Sequence, residues 1–122
     1  MADTLELLLK CNTAELPKKE LRMKRLSEAA GGDVVFSIQA INFNEVSEIK
    51  GRKSEDIPLF VILEGVVSPD LKNAELMKKY KAATPIEMLK DLLLPGEIED
   101  LSREIETLSG YRGSTVEEIK KK

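Results

Sequence analysis

Apolar and polar positions alternate cleanly in one stretch of this chain, Asp33 to Ile41, where Val34, Phe36, Ile38 and Ala40 share a face. The opposite face mixes Val35 and Ile41 with Ser37 and Gln39, so it should be half wet. Just upstream, the run from Lys19 to Leu26 places Leu21 and Met23 at period two. Together they predict an antiparallel β-hairpin within residues 18–41, crossing over at Ser27 to Ala30, with Gly31 and Gly32 allowing a tight reversal. No other β-structure is expected.

From Asn42 onward the apolar spacing becomes helical. Asn42 and Glu45 have the form of a capping box, and Gly51 suits the end of that short helix. Asp56 can cap a helix from Ile57 to Val67, with Pro58 tolerated in its first turn. That segment is apolar nearly all round, which places it at the centre of the fold. Its Val and Ile content also allows a buried strand, but a length of about eleven residues and the Asp-x-Pro start favour the helix. Ser68-Pro69-Asp70 breaks it, and Asn73 caps an amphipathic turn carrying Leu76, Met77 and Tyr80. Thr84, Pro85 and Glu87 occupy N-cap, N1 and N3 of a helix whose buried stripe is Ile86, Leu89, Leu92 and Leu93.

The last helix opens at Leu94-Pro95-Gly96-Glu97 and stops at Gly110. Leu94, Ile98, Leu101, Ile105 and Leu108 recur in it at spacings of 4, 3, 4 and 3. So narrow a seam suits packing against one other helix. Two partners are open: the Ile57–Val67 helix of the same chain, or a helix of another protein. These five residues are the candidate partner-binding set.

Residues 1–17 form a leucine-rich segment, with Leu5, Leu7, Leu8 and Leu9 and with Thr4 as a candidate N-cap. Such a segment docks on its own domain, frays, or serves a partner. Residues 18–111 make one globular domain, with the hairpin in 18–41 and helices in 42–110, and residues 112–122 a charged tail. The fold class is therefore α+β: a mostly helical single domain with one N-terminal antiparallel hairpin. A length of 122 residues agrees with one domain.

Composition narrows the chemistry. With no histidine, imidazole bases, Ser-His and Cys-His pairs and His-based metal sites all fall away. The lone Cys11 excludes an internal disulfide and a Cys-x-x-Cys zinc motif. Acid pairs such as Glu117-Glu118 fall on solvated faces, no phosphate-binding glycine loop is present, and no catalytic, cofactor or metal residue can be named. The 19 basic and 22 acidic residues are dispersed. The most basic stretch, Lys18 to Arg25, reads as a charged strand edge rather than a nucleic-acid footprint. The longest apolar run, Leu59 to Leu63, is far too short for a membrane span, and Asp3 and Glu6 interrupt any signal-peptide pattern. The expectation is a cytoplasmic interaction protein that is not an enzyme and binds neither membrane nor nucleic acid.

Longer stretches carry a family likeness. Val66-Val67-Ser68-Pro69-Asp70-Leu71-Lys72-Asn73-Ala74-Glu75-Leu76 with Tyr80, then Thr84 through Ile98, then Leu108-Ser109-Gly110-Tyr111, resemble the XkdN-like tail assembly chaperones of long-tailed phages. Phe36 to Ile41 resembles that family's N-terminal part, so the likeness covers roughly residues 33–111. Only Arg52 to Glu55 bridge the first and central helices, where relatives often carry a longer insertion. The resemblance implies a morphogenesis factor of phage or prophage that binds the tape-measure protein, recruits tail-tube subunits, and is absent from the finished particle. Self-association is a further partner reading. It also implies a second, longer product, for which the codons of Lys120-Lys121-Lys122 would be the slip site. A small regulatory or adaptor protein that binds a partner helix is the alternative.

Overall fold

A computed structural model describes residues 3–52 and 54–119. The lysine run at 120–122, and with it the slip-site expectation, lies outside the described residues. Strands β1 (Lys18–Arg22), β2 (Val35–Gln39) and β3 (Val66–Ser68) form one antiparallel sheet with β2 in the middle. β1 meets β2 with Leu21 opposite Phe36, so the expected hairpin is present. Phe36, Ile38 and Ala40 are buried and Val34 is half-buried, which is the face that the alternation picked out.

Two expectations about the sheet need correction. The crossover is helix α2 (Lys24–Ala30), and β1 stops at Arg22 rather than running on to Leu26. Lys, Arg, Leu, Glu and Ala are strong helix formers, and this segment contains no β-branched residue to oppose them. Ser27 is buried in that helix and its Oγ accepts from the Val34 N–H at 2.8 Å, which ties the crossover to β2. The hairpin is also not the only β-structure. The central helix α4 (Ile57–Gly65) ends two residues before Val67, and Val66 to Ser68 become β3 on the free edge of β2. β-Branched Val66 and Val67, followed by a serine held extended by Pro69, favour a strand once an edge is available.

The other helices are α1 (Thr4–Lys10), α3 (Phe43–Lys50), α5 (Ala74–Lys79), α6 (Pro85–Leu92) and α7 (Pro95–Leu108). Local caps form largely where expected, except that Asp56, in a 3₁₀ turn before α4, makes no side-chain capping bond. Asn42 Oδ1 accepts from Glu45 N at 2.9 Å, Asn73 Oδ1 from Glu75 N at 2.8 Å, and Thr84 Oγ1 from Glu87 N at 3.2 Å. The Glu87 carboxylate reaches one residue further back than a capping box requires, to Ala83 N. α1 is capped by Asp3, which accepts from Glu6 N at 2.9 Å, and not by Thr4.

α4 is the axis of the core. Leu59, Val61 and Ile62 are buried on it, and α7 lies along it. The two helices approach so closely that a Cβ placed on Gly65 would lie 2.5 Å from Ile105 Cγ2. Only glycine leaves room for that isoleucine. From α6, Met88 and Leu89 are fully buried, while the expected Ile86 and Leu92 are half-buried at the edge. Full burial of side chains such as Ile62 and Ile105 contributes ~1.5–3 kcal/mol each.

Candidate partner-binding groove

The seam of α7 was the candidate binding surface, and the fold turns most of it inward. Leu101 and Ile105 are buried against the core, with Ile105 at 0% exposure, and Ile98 and Leu108 are half-buried beside them. Leu94, at the N-cap of α7, is exposed. The seam is therefore an internal contact with α4, and as a docking strip for another protein it is corrected. Helix α4 is apolar on every side but that of Glu64 and needs cover, much of which α7 supplies.

The start of α7 is fastened by charge. The Arg25 guanidinium donates to Glu97 Oε1 at 2.8 Å and to the Leu92 carbonyl at 2.8 Å, so α2 grips the corner between α6 and α7. Glu97 also accepts from the Leu94 N–H at 2.7 Å. Its carboxyl is held below the ordinary carboxylate value, chiefly by the hydrogen bond from Arg25; burial opposes this and the Leu94 N–H assists. Arg25 is raised by the same bond. This pair is a fastening, not a reactive site. Among the described residues no three His, Cys, Asp or Glu side chains are grouped to hold a metal, and no helix is long and apolar enough to cross a membrane.

The opposite end of α7 builds something different. Ser109 Oγ accepts from the Ile41 N–H at 2.9 Å and donates to the Ile105 carbonyl at 2.8 Å, which holds the end of β2 to the end of α7. Gly110, at φ 99°, then reverses the chain, and the Tyr111 N–H donates to the Glu106 carbonyl at 3.0 Å. A side chain at that φ would be strained, so glycine suits the position. The reversal leaves the Tyr111 ring partly open to solvent, with Lys50 Nζ 5.6 Å from its centroid.

Between Tyr111 and α3 lies a groove of about 130 Å³, floored by Ile41, Ile49, Ile57 and Val61. Val46 and Lys50 of α3 line one side, and Glu106 of α7 with Ser109 just beyond it the other. Phe43, one turn before Val46 on the same side of α3, is 83% exposed. An apolar trough with Lys50 at its rim, and with the Glu106 carboxylate already paired to Arg112, suits the apolar face of a helix that brings an acidic group to Lys50. Sequence reasoning missed this site. Its available signal was Phe43, Val46 and Lys50 at i, i+3 and i+7, together with an aromatic residue directly after the helix stop.

A second apolar surface is open. On α1, Leu5, Leu7, Leu8 and Leu9 are between 57% and 77% exposed, and none of its described residues is buried. Cys11, which follows, is exposed and free.

Both surfaces are apolar and open to solvent. The chain is similar in fold to a solved structure titled as the crystal structure of the protein yqbn, with a TM-score of 0.63 and 24% identity. That likeness covers 80% of this chain and 89% of the other, and it bears on the fold alone. No curated protein sequence matches significantly. The family model described as phage XkdN-like tail assembly chaperone protein matches residues 5–121, which include both the leucine helix and the groove. The chain belongs to the XkdN-like family of phage tail assembly chaperones.

Proposed function

We propose that this chaperone holds a helical segment of the tape-measure protein in the groove between α3 and Tyr111. There it keeps that long client soluble while tail-tube subunits are recruited. The protein acts in the host cytoplasm by binding alone, and it leaves before the particle is complete. The observation that carries this reading is the groove itself, with an apolar floor, Tyr111 partly open to solvent and Lys50 at the rim; exposed Phe43 lies one turn away on α3. A helix presenting apolar residues at i, i+3 and i+4 would bury them there. A trough this small favours a modest interface, which suits a partner that must later be displaced.

Co-expression with the tape-measure protein tests it. Wild type and Tyr111→Phe should co-purify with the client, and Tyr111→Glu should not, since the added carboxylate would be desolvated against an apolar floor. Equal recovery of client by Tyr111→Glu would overturn the assignment of the groove.

A further inference from the structure

Helix α1 stands uncovered in this structure. Leu5, Leu8 and Leu9 share a face at i, i+3 and i+4 with Leu7 at its margin, and all four are exposed. Seven residues are too few for a helix to hold by itself in water, so α1 gains from an apolar surface within reach. Its tether decides which surface that is. The Pro17 carbonyl accepts from Ala40 N at 2.9 Å, and Ile41 is on the groove floor, so α1 leaves the domain at the edge of its own groove. Residues 11–17 span up to ~25 Å at ~3.3–3.6 Å per residue, which is slack enough for α1 to turn back. A flexible tether this short gives an effective concentration on the order of millimolar. At micromolar protein the groove of the same copy is therefore favoured over that of another by about a thousandfold.

We propose that α1 folds back into the groove of its own copy, as a built-in occupant that a client helix must displace. The exposed α1 of this structure is the open form of that equilibrium. Charge sets the direction of docking. Asp3 and Glu6 are at the N-terminal end of α1 and Lys10 at the end nearer the tether. Neither they nor Lys50 form an ion pair among the described residues, while Glu106 is taken by Arg112. α3 begins at Phe43, three residues after Ala40, and Lys50 closes it ~10 Å further along the axis. α1 is ~9 Å long by the same rise. Laid antiparallel to α3, it keeps Lys10 at the tethered end and brings Asp3 and Glu6 to Lys50. The reverse direction would set Lys10 against Lys50. Leu8, in the middle of the stripe, then faces the floor. The groove holds about 130 Å³, against ~150 Å³ for an apolar cavity that accepts benzene, so it has room for about one such side chain. The contact is accordingly weak. A pairing with a Kd of ~1 mM between separate molecules would leave the tethered groove about half closed. The groove is the proposed client site, but only the displacement step rests on that reading; the closed form needs no client.

The test is paramagnetic relaxation in NMR spectra of the full chain, without any other phage protein. A nitroxide is attached at position 4 of the Thr4→Cys/Cys11→Ser chain. It should broaden the amide signals of Ile49, Lys50 and Tyr111 more than that of Ala40. Adding Leu8→Glu, at an exposed position, should abolish the broadening, since the new carboxylate would be desolvated on the floor. A nitroxide chain mixed with isotope-enriched chain that lacks the nitroxide should broaden nothing, because the contact lies within one copy. Unbroadened groove signals would overturn the proposal. So would broadening that survives Leu8→Glu, that is strongest at Ala40, or that appears in the mixture, where it would mark a second copy. With the tape-measure protein added, Leu8→Glu should bind it about twofold tighter than wild type, because no groove is lost to the closed form. Equal affinity would overturn the competition between α1 and client. Failure of both chains to bind the client bears on the proposed function and leaves the NMR result standing.

Discussion

α1 and α7 carry leucine and isoleucine in comparable density, yet the fold treats them in opposite ways. Ile105 and Leu101 are buried along α4, while the four leucines of α1 stand in solvent. Three features separate the two helices. α7 is twice as long, so its stripe runs along α4 instead of touching it at one point. Gly65 removes the side chain that would hold the helices apart. Arg25 and Glu97 fasten the entry to α7, whereas α1 hangs on residues 11–17. An apolar stripe states that a helix needs cover. Which surface provides it depends on length, tether and a matching space.

Truncation should separate the two helices most sharply. Ile105→Ala is expected to cost about 2–5 kcal/mol in urea unfolding, from lost burial and the cavity left behind. Leu8→Ala should stay within about 0.5 kcal/mol in dilute protein, as an exposed site does. Similar losses at the two positions would mean that α1 is packed after all.

Gly65→Ala is next in size, at about 1–3 kcal/mol, because its Cβ would press on Ile105 at 2.5–2.9 Å. Combined with Ile105→Ala, it should cost less than the sum of the single changes, since the atoms it strikes are gone. Strict additivity would show that the close approach of α4 and α7 is not what glycine provides.

Equivalent caps in the two settings sharpen the contrast further. Thr84→Ala should lower global stability by about 1 kcal/mol, because α6 is part of the core. Asp3→Ala removes the same kind of bond from α1 and should reduce local helicity by circular dichroism without moving the unfolding midpoint. A shifted midpoint would place α1 in the cooperative unit.

The smallest effect concerns pH. The folded chain holds Glu97 below its ordinary value of 4.5, so its contribution is complete above that pH and is lost as pH falls through the depressed folded value. The stability difference between wild type and Glu97→Gln should be constant above about pH 4.5 and shrink below it. A difference that persists unchanged into strong acid would mean that the carboxylate charge is not what fastens α7.

Much of the architecture was legible because it rests on short-range chemistry. Asn42, Asn73 and Thr84 cap the helices that they precede, since each bond closes within two or three residues. The face of β2 followed from alternation, which any half-buried strand imposes. What stayed hidden required a neighbour. β3 exists because β2 has a free edge, α2 because Ser27 and Met23 find cover, and Met88 is buried because the core lies on that side of α6. The groove was illegible for the same reason: Ile41, Ile57 and Tyr111 are far apart in the chain and meet only where the ends of β2 and α7 are tied together.

By itself, then, the order of residues determined the α+β class, the starts of α3 to α7, the central place of the Ile57 helix, and membership in a family of assembly chaperones. Only the tertiary structure decided that the α7 seam is core, that the leucines of α1 are surface, and that a groove opens beside Tyr111. Periodicity reports which face of an element is apolar, because that depends on backbone geometry alone. It cannot report which apolar faces meet, because that depends on distances between elements that no local pattern contains.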